Sequence, residues 1–435
     1  MRGLVVAVAV AGVTLAGLQG TALADTAVPV WQPQGTAVTG AATTAEAQAL
    51  TAGGTYKDTL KVGDTKYYGV DLDAKSAAYL SAFAIPKPGA KVTYGDGIEL
   101  KLQSADGTDC DSYDAHFDND GAARPVGGYT ARTIEKGGRC QEANRYTLEI
   151  KRESAGTSDP AEWPVEIRFM SEPALKADAK PAPATSATEA SPTPVTGTPR
   201  PAQGGTSFDN AAAIKSGIWN DKVLPGETRF YKVPVDWGQH AVLFADFANA
   251  PTAKENGFQS AGVRVDAYNP ARGHIDDDTE SYAGKQTSIT GQTVPVSYAN
   301  RFESSGKVSA TRFAGWYYFA VSVHPGVKNV VDAPIGVTLR LDVKGTAAPS
   351  PGYDGDAAKA GFGIGGDDLA EADGTATGGG SSSTLRLVAF AALGAGTVLL
   401  LSLAVWVMTA RRRSRAAAPQ APQGPQPGYG PPPAW

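Results

Sequence analysis

Shifted by 163 residues, the stretch 56–82 lies over 219–245 without a gap, and nine of the 27 positions are identical. About two identities are expected by chance at ordinary composition. They include Asp58/Asp221, Gly63/Gly226, Thr65/Thr228, Tyr68/Tyr231, Val70/Val233, Asp73/Asp236 and Leu80/Leu243. Asp64/Glu227, Lys66/Arg229 and Tyr67/Phe230 keep the chemistry. Further on, with small gaps, Pro164-Val165-Glu166-Ile167 answers Pro334-Ile335-Gly336-Val337. Such a repeat is one structural unit used twice, so two homologous domains are expected.

Each repeat is patterned with a period of two. Tyr68, Val70 and Leu72 alternate with more polar residues, as do Tyr231, Val233 and Val235. The same alternation runs through Ile98/Leu100/Leu102, Tyr146/Leu148/Ile150, Val165/Ile167/Phe169, Tyr317/Phe319/Val321/Val323 and Ile335/Val337/Leu339/Leu341. That period marks strands with one face buried and one wet. Turn residues at Val62-Gly63-Asp64 and Pro225-Gly226-Glu227 punctuate the strands. The fold class is therefore all-β: two tandem antiparallel β-sandwiches, jelly-roll-like, of about 125–140 residues each, plus one C-terminal transmembrane helix.

The two ends set the topology. Arg2, an apolar stretch and Ala22-Leu23-Ala24 read as a secretory signal over 1–24, cleaved between Ala24 and Asp25. Residues 387–410 carry no charge and would span about 36 Å as a helix, against about 30 Å of bilayer core. Arg411, Arg412, Arg413 and Arg415 follow at once, while Arg386 stands alone on the other flank. The positive-inside rule then places 411–435 in the cytoplasm and the rest of the mature chain outside the cell. No LPxTG-like sorting motif precedes the apolar segment. The expectation is a type I single-pass protein of a bacterial cell membrane with an extracellular ectodomain.

The 51 glycines and 30 prolines concentrate in a few stretches, which are read as unfolded connections. These are an N-terminal segment 25–48, a Pro/Ala/Thr-rich linker 172–206 and a flexible stalk 345–386. They leave 49–171 and 207–344 as the two sandwiches. A net charge of −5 supplies no basic footprint for nucleic acid.

Gly63-Asp64-Thr65-Lys66-Tyr67-Tyr68-Gly69-Val70 resembles the opening of bacterial pre-peptidase C-terminal domains, and Gly226-Glu227-Thr228-Arg229-Phe230-Tyr231-Lys232-Val233 repeats it. Ile98-Glu99-Leu100-Lys101-Leu102 with Ala105-Asp106-Gly107-Thr108 is similar to that family's central strand and turn. Trp316-Tyr317-Tyr318-Phe319-Ala320-Val321 resembles its late strand, whereas Asn144-Arg145-Tyr146 lacks the corresponding glycine. The paired arrangement also looks like the membrane-proximal half of some von Willebrand A-type surface proteins of high-GC Gram-positive bacteria, without their Asp-x-Ser-x-Ser motif. The resemblance implies a β-sandwich and a non-catalytic role. It names no ligand.

Cys110 and Cys140 are the two cysteines of an exported domain, so a disulfide is expected. Asp109, Asp111, Asp114, Asp118, Asn119 and Asp120, and in the second repeat Asp276, Asp277, Asp278 and Glu280, offer oxygens of the kind Ca²⁺ takes. Their spacing is not that of an EF-hand, and solvated charge is the expectation. His116, His240, His274 and His324 are isolated in sequence. No hydrolase elbow, phosphate loop or His-Glu-x-x-His motif occurs. No catalytic residue, metal or cofactor is therefore assigned. Trp163, Trp219, Trp237, Trp316, Tyr317 and Tyr318 are expected to fill cores or cross-strand pairs, with a carbohydrate-stacking face as the alternative. The tail from Pro419 is expected to be disordered, with a polyproline-type docking peptide as the alternative.

The functional expectation is a non-enzymatic surface protein that binds an envelope protein or a wall polymer. The alternatives are an accessory subunit positioning a separate partner, such as a von Willebrand A-domain protein, and last a cryptic wall hydrolase.

Overall fold

The computed structural model describes residues 28–186, 192–251 and 257–374, together with Gly428. The cleavage site at Ala24 and Asp25, the apolar segment 387–410, and Arg411, Arg412, Arg413 and Arg415 lie outside the described residues. Among the described residues, no helix is long and apolar enough to cross a membrane.

The alternating runs become strands. The first repeat holds β1 (Thr36–Ala37), β2 (Ala49–Leu50), β3 (Thr55–Leu60), β4 (Thr65–Leu72), β5 (Ala77–Ala84), β6 (Gly97–Gln103), β7 (Asp109–His116), β8 (Val126–Arg132), β9 (Asn144–Glu153) and β10 (Trp163–Glu172). The second holds β11 (Arg200–Pro201), β12 (Ala212–Ala213), β13 (Gly217–Val223), β14 (Thr228–Val235), β15 (His240–Phe247), β16 (Gln259–Tyr268), β17 (His274–Tyr282), β18 (Thr287–Gln292), β19 (Gly315–Val323) and β20 (Ile335–Lys344). A short helix α1 (Gly306–Ala310) precedes β19, and α2 (Gly366–Asp373) follows β20.

Each repeat is a pair of five-stranded sheets. The first has orders β1-β3-β10-β5-β8 and β2-β4-β9-β6-β7, and the second has β11-β13-β20-β15-β18 and β12-β14-β19-β16-β17. Every strand of the first repeat thus finds its counterpart ten strands later. β4 and β5 map onto β14 and β15 at the same 163-residue offset seen in the sequence.

Toward the end of each repeat the strands match two residues away from the sequence alignment. Val165 pairs with Ala84, and Val337 with Phe247, the counterpart of Ala84. Val165 therefore answers Val337, not Ile335. A slip of two leaves every side chain on the same face, so the alternation alone cannot detect it.

Several identities find their reason in one buried contact. The Asp58 carboxylate accepts from the Tyr68 hydroxyl, the Gly40 N–H and the Lys66 ammonium, each at 2.8 Å. In the second repeat Asp221 accepts from the Tyr231 hydroxyl and the Gly204 N–H, both at 2.7 Å. The chain entering each sandwich is pinned by the same aspartate–tyrosine pair. At the turns before β4 and β14, Gly63 and Gly226 take φ of 76° and 86°, where a Cβ is disfavoured. The acid after each glycine closes the turn, Asp64 onto Lys61 N–H (2.9 Å) and Glu227 onto Leu224 N–H (2.8 Å).

The two sandwiches are not beads on a string. Every residue of β5 is buried, which requires cover on both faces of its sheet. The inner face packs against the β4/β6/β9 sheet. The outer face, with Tyr79, Phe83, Glu166, Met170 and Glu172, meets the outer face of the β14/β19/β16 sheet and its loops. Four sheets are stacked in one body.

The three stretches read as unfolded carry structure where they are described. In 25–48, Trp31 is buried and β1 joins a sheet. The 172–206 linker runs along the second sandwich. Thr185 N–H donates to Asn300 (2.8 Å), the Pro183 carbonyl accepts from Ser297 (2.7 Å), and the Val195 carbonyl accepts from Arg340 (3.2 Å). In 345–386, Tyr353 and Phe362 are buried and 366–373 is helical. Proline- and glycine-rich composition predicts extended backbone, but that backbone still orders where neighbouring side chains satisfy its polar groups.

Candidate functional site

The chemistry gathers at the seam between the sandwiches, largely on residues the alternation marks as the wet face. Along β10, Val165, Ile167 and Phe169 point into the first core, while Glu166, Arg168, Met170 and Glu172 point toward the second sandwich. Glu166 has no exposed surface. It accepts from Arg272 Nη1 at 2.7 Å, while Arg272 Nη2 donates to Asp209 at 2.7 Å. The other Glu166 oxygen accepts from the Trp31 indole (3.2 Å) and the Gln34 N–H (2.7 Å). Burial pushes the Glu166 carboxyl up against the pull of Arg272. Burial acts on Asp209 the same way, but Arg272 and Arg168 outweigh it and hold that carboxyl below its usual range. Around this triad, Trp31, Phe83, Phe208, Phe230 and Tyr268 form an aromatic cage with ring centroids 5.0–5.9 Å apart.

Six residues along β10, Glu172 accepts both terminal nitrogens of Arg301, at 3.0 and 2.7 Å, and the Tyr79 hydroxyl at 2.9 Å. Sequence reasoning singled out none of Glu172, Arg301, Arg272 or Asp209. The usable signal was the run Ala77-Ala78-Tyr79-Leu80-Ser81-Ala82-Phe83-Ala84, nearly apolar on both faces.

Asp118 and Asp120, in the loop after β7, end up at a third part of the seam. Asp109, Asp111 and Asp114 instead lie on β7, and Asp276, Asp277, Asp278 and Glu280 on β17. Asp118 pairs with Arg124 and, across the seam, with Arg264 at 2.6 Å. Asp120 pairs with Arg124 (3.1 Å), and its carbonyl lies 3.1 Å from His324 Nε2. Arg264 also reaches Asp266 (2.8 Å) and Asp277 (3.0 Å). Asp276 pairs with Lys307 at 2.6 Å, and Asp278 accepts from Thr290 N–H at 2.9 Å. Asp111 accepts from Ala131 N–H (2.8 Å), and burial raises its carboxyl. Asp109 accepts from Gln103 at 2.8 Å. Asp114 and Glu280 are exposed.

Asp266, His274 and Asp277 present donor atoms within 4.8 Å of one another and could hold a metal. That position is taken by the Arg264 guanidinium. The imidazole lies 3.4 Å from Asp277 and 3.7 Å from Asp266, at ion-pair rather than hydrogen-bond range. Burial disfavours the charged imidazole, but the two carboxylates win and lift its pKa to about 9. Asp266 is pulled up by burial and taken down to about 2 by His274 and Arg264. The group is thus an ion-pair network in which a guanidinium and an imidazolium supply the cations.

This has a pH signature. A raised imidazole pKa contributes stability that is fully present below its unfolded value, about 6.5, and is lost as pH rises through about 9. Thermal unfolding between pH 7 and 10 is expected to show this loss, on the order of 2 kcal/mol after solvent screening. His274→Gln should flatten that limb. An unchanged limb in the variant would remove His274 as its source.

The aromatic candidates are occupied. Trp163, Trp237 and Tyr317 are buried. Trp219 lies under Arg200 at 3.9 Å, and Trp316 lies under Lys232 at 4.3 Å while donating to Asp368. Tyr318 packs edge-on against Phe208. Together they form no open stacking face. Cys110 and Cys140 are joined by a disulfide, with Cα atoms 5.7 Å apart.

No protein-family model matches the chain, and no curated protein matches it by sequence. Among solved structures, one match is PliG, a periplasmic inhibitor of g-type lysozyme from Salmonella Typhimurium. It is 14% identical, covering 28% of this chain and 98% of that one, with a TM-score of 0.17. The CUB1-EGF-CUB2 domains of human MASP-1/3 are 5% identical over 66% of this chain and 99% of that one (TM-score 0.15). The ANXUR2 extracellular domain of Arabidopsis thaliana is 9% identical over 68% and 86% (TM-score 0.18). Likeness at this level carries no argument about fold or function.

Proposed function

We propose that the chain is a non-enzymatic, type I single-pass surface protein whose paired pre-peptidase C-terminal-like sandwiches act as one binding body. In this reading 387–410 cross the membrane and the ectodomain engages a wall polymer or an envelope protein. The observation that carries it is the seam. Buried charge pairs, Glu166–Arg272 and Glu172–Arg301, hold the two repeats in one fixed geometry. Fixed spacing lets two modules engage an extended or multivalent target without the entropic cost of ordering a linker.

The test is co-sedimentation of a purified 25–384 ectodomain with isolated cell-wall sacculi, with and without Ca²⁺. Saturable pelleting is expected, and Ca²⁺ should not change it, because Arg264 and His274 already neutralise the Asp266/Asp277 carboxylates. No pelleting under either condition would sink the wall-polymer reading. Co-purification from solubilised envelopes would then decide whether a protein partner takes its place.

A further inference from the structure

Residues 345–373 leave the second sandwich and return across the seam. Tyr353 forms an antiparallel bridge with Leu175 at the end of the first sandwich. Lys176 N–H donates to the Gly352 carbonyl (2.9 Å), and Asp354 N–H donates to the Ala174 carbonyl (2.7 Å). The Tyr353 hydroxyl reaches Glu172 at 2.5 Å, the carboxylate that already takes Arg301 and Tyr79. Glu172 therefore joins three parts: the first sandwich, the second, and this returning segment. Farther on, Phe362 is fully buried between Tyr79 of the first sandwich and Phe313 of the second, at 5.6 and 5.1 Å. The segment ends in α2, held by Trp316–Asp368 and Lys232–Glu371, both at 2.8 Å.

The two edges of the seam are built differently. At the Glu166 edge, an aromatic cage closes over the ion triad with Trp31 at 3% exposure. At the Glu172 edge, about 20 Å away along β10, the returning segment walls a cleft of about 440 Å³, and Asp354 borders a second of about 460 Å³. Across the seam it is held by two backbone hydrogen bonds, the Tyr353 hydroxyl and the buried rings of Tyr353 and Phe362. Segments with few buried contacts beside solvent-filled space open at a smaller free energy than a packed core.

We propose that residues 345–373 are a releasable latch. Closed, they pin the Glu172 edge of the seam; released, they expose the Tyr79–Phe313–Met170 face while the sandwiches stay joined at the Trp31 cage. If the chain is anchored through 387–410, as proposed above, tension from the membrane side loads the latch before either sandwich.

Hydrogen exchange on the full-length chain in detergent micelles tests this without that premise. The reporters are the amides of Lys176 and Asp354 for the latch, Gln34 for the cage, and Tyr231 and Val321 for the core. In the wild type, the latch amides are expected to be less protected than the core. Phe362→Ala should lower latch protection about a hundredfold or more and leave Gln34, Tyr231 and Val321 unchanged. Tyr353→Phe, which keeps the ring and loses only the hydroxyl, should lower it about tenfold at the same amides. Equal loss at latch, cage and core would make the segment an integral part of one cooperative core and overturn the proposal. So would latch amides that match the core in the wild type or do not respond to either variant. If Phe362→Ala fails to fold, the Tyr353→Phe result decides alone.

Discussion

Replacing Arg272 by alanine is expected to destabilise the protein by about 3–5 kcal/mol, because it leaves Glu166 buried without its cation. Glu166 is wholly enclosed, and Trp31 and Gln34 satisfy only one of its oxygens. Asp209 loses its 2.7 Å partner in the same change, and Phe208 loses the guanidinium 5.0 Å from its ring centre. Arg272→Lys should recover only part of the loss, since one ammonium cannot reach two carboxylates as a planar fork does. The double variant Glu166→Gln/Arg272→Met should recover part of it, because the enclosed carboxylate goes together with its cation while Asp209 keeps Arg168 at 3.8 Å. Urea unfolding of the four proteins measures this. An alanine variant within 1 kcal/mol of wild type would show that the triad is not the strong point of the seam.

The second large effect is expected at the disulfide. Cys110 is the second residue of β7 and Cys140 lies in the loop between β8 and β9, 30 residues apart in sequence. Closing a loop of that length restricts the unfolded chain and contributes about 3–4 kcal/mol. The loop is also tied into the sandwich, since the Cys140 carbonyl accepts the Tyr146 hydroxyl at 2.9 Å. Cys110→Ser/Cys140→Ser should lower the urea midpoint accordingly. A thiol reductant should weaken the wild type in the same direction and leave the double-serine variant unmoved. Equal stability of wild type and variant would mean that the loop is already held by its native contacts.

Much of the fold was legible because local patterning reports local burial. Ile98/Leu100/Leu102 and Tyr146/Leu148/Ile150 alternate, and each set does face a core. The duplication was legible because Asp58/Asp221 and Tyr68/Tyr231 do one structural job twice. The linkers were misread for a reason of the same kind. Composition describes what a segment can do by itself, whereas Ser297, Asn300 and Arg340 order the 172–206 stretch from outside it. The acidic residues were visible, but their partners were not.

The sequence by itself determined two all-β repeats, the alternating strands β4, β6, β9 and β10 with β14, β19 and β20, the core-facing side of each, and the pairing of the only two cysteines. Only the tertiary structure decided that the supposedly wet face of β10 is a seam, and that Asp118 meets Arg264 from 146 residues away. Alternation with period two states which side of a strand a residue occupies and nothing about what docks there. The docking of the two sheets chose the partners, because a charge enclosed between them persists only where an opposite charge faces it.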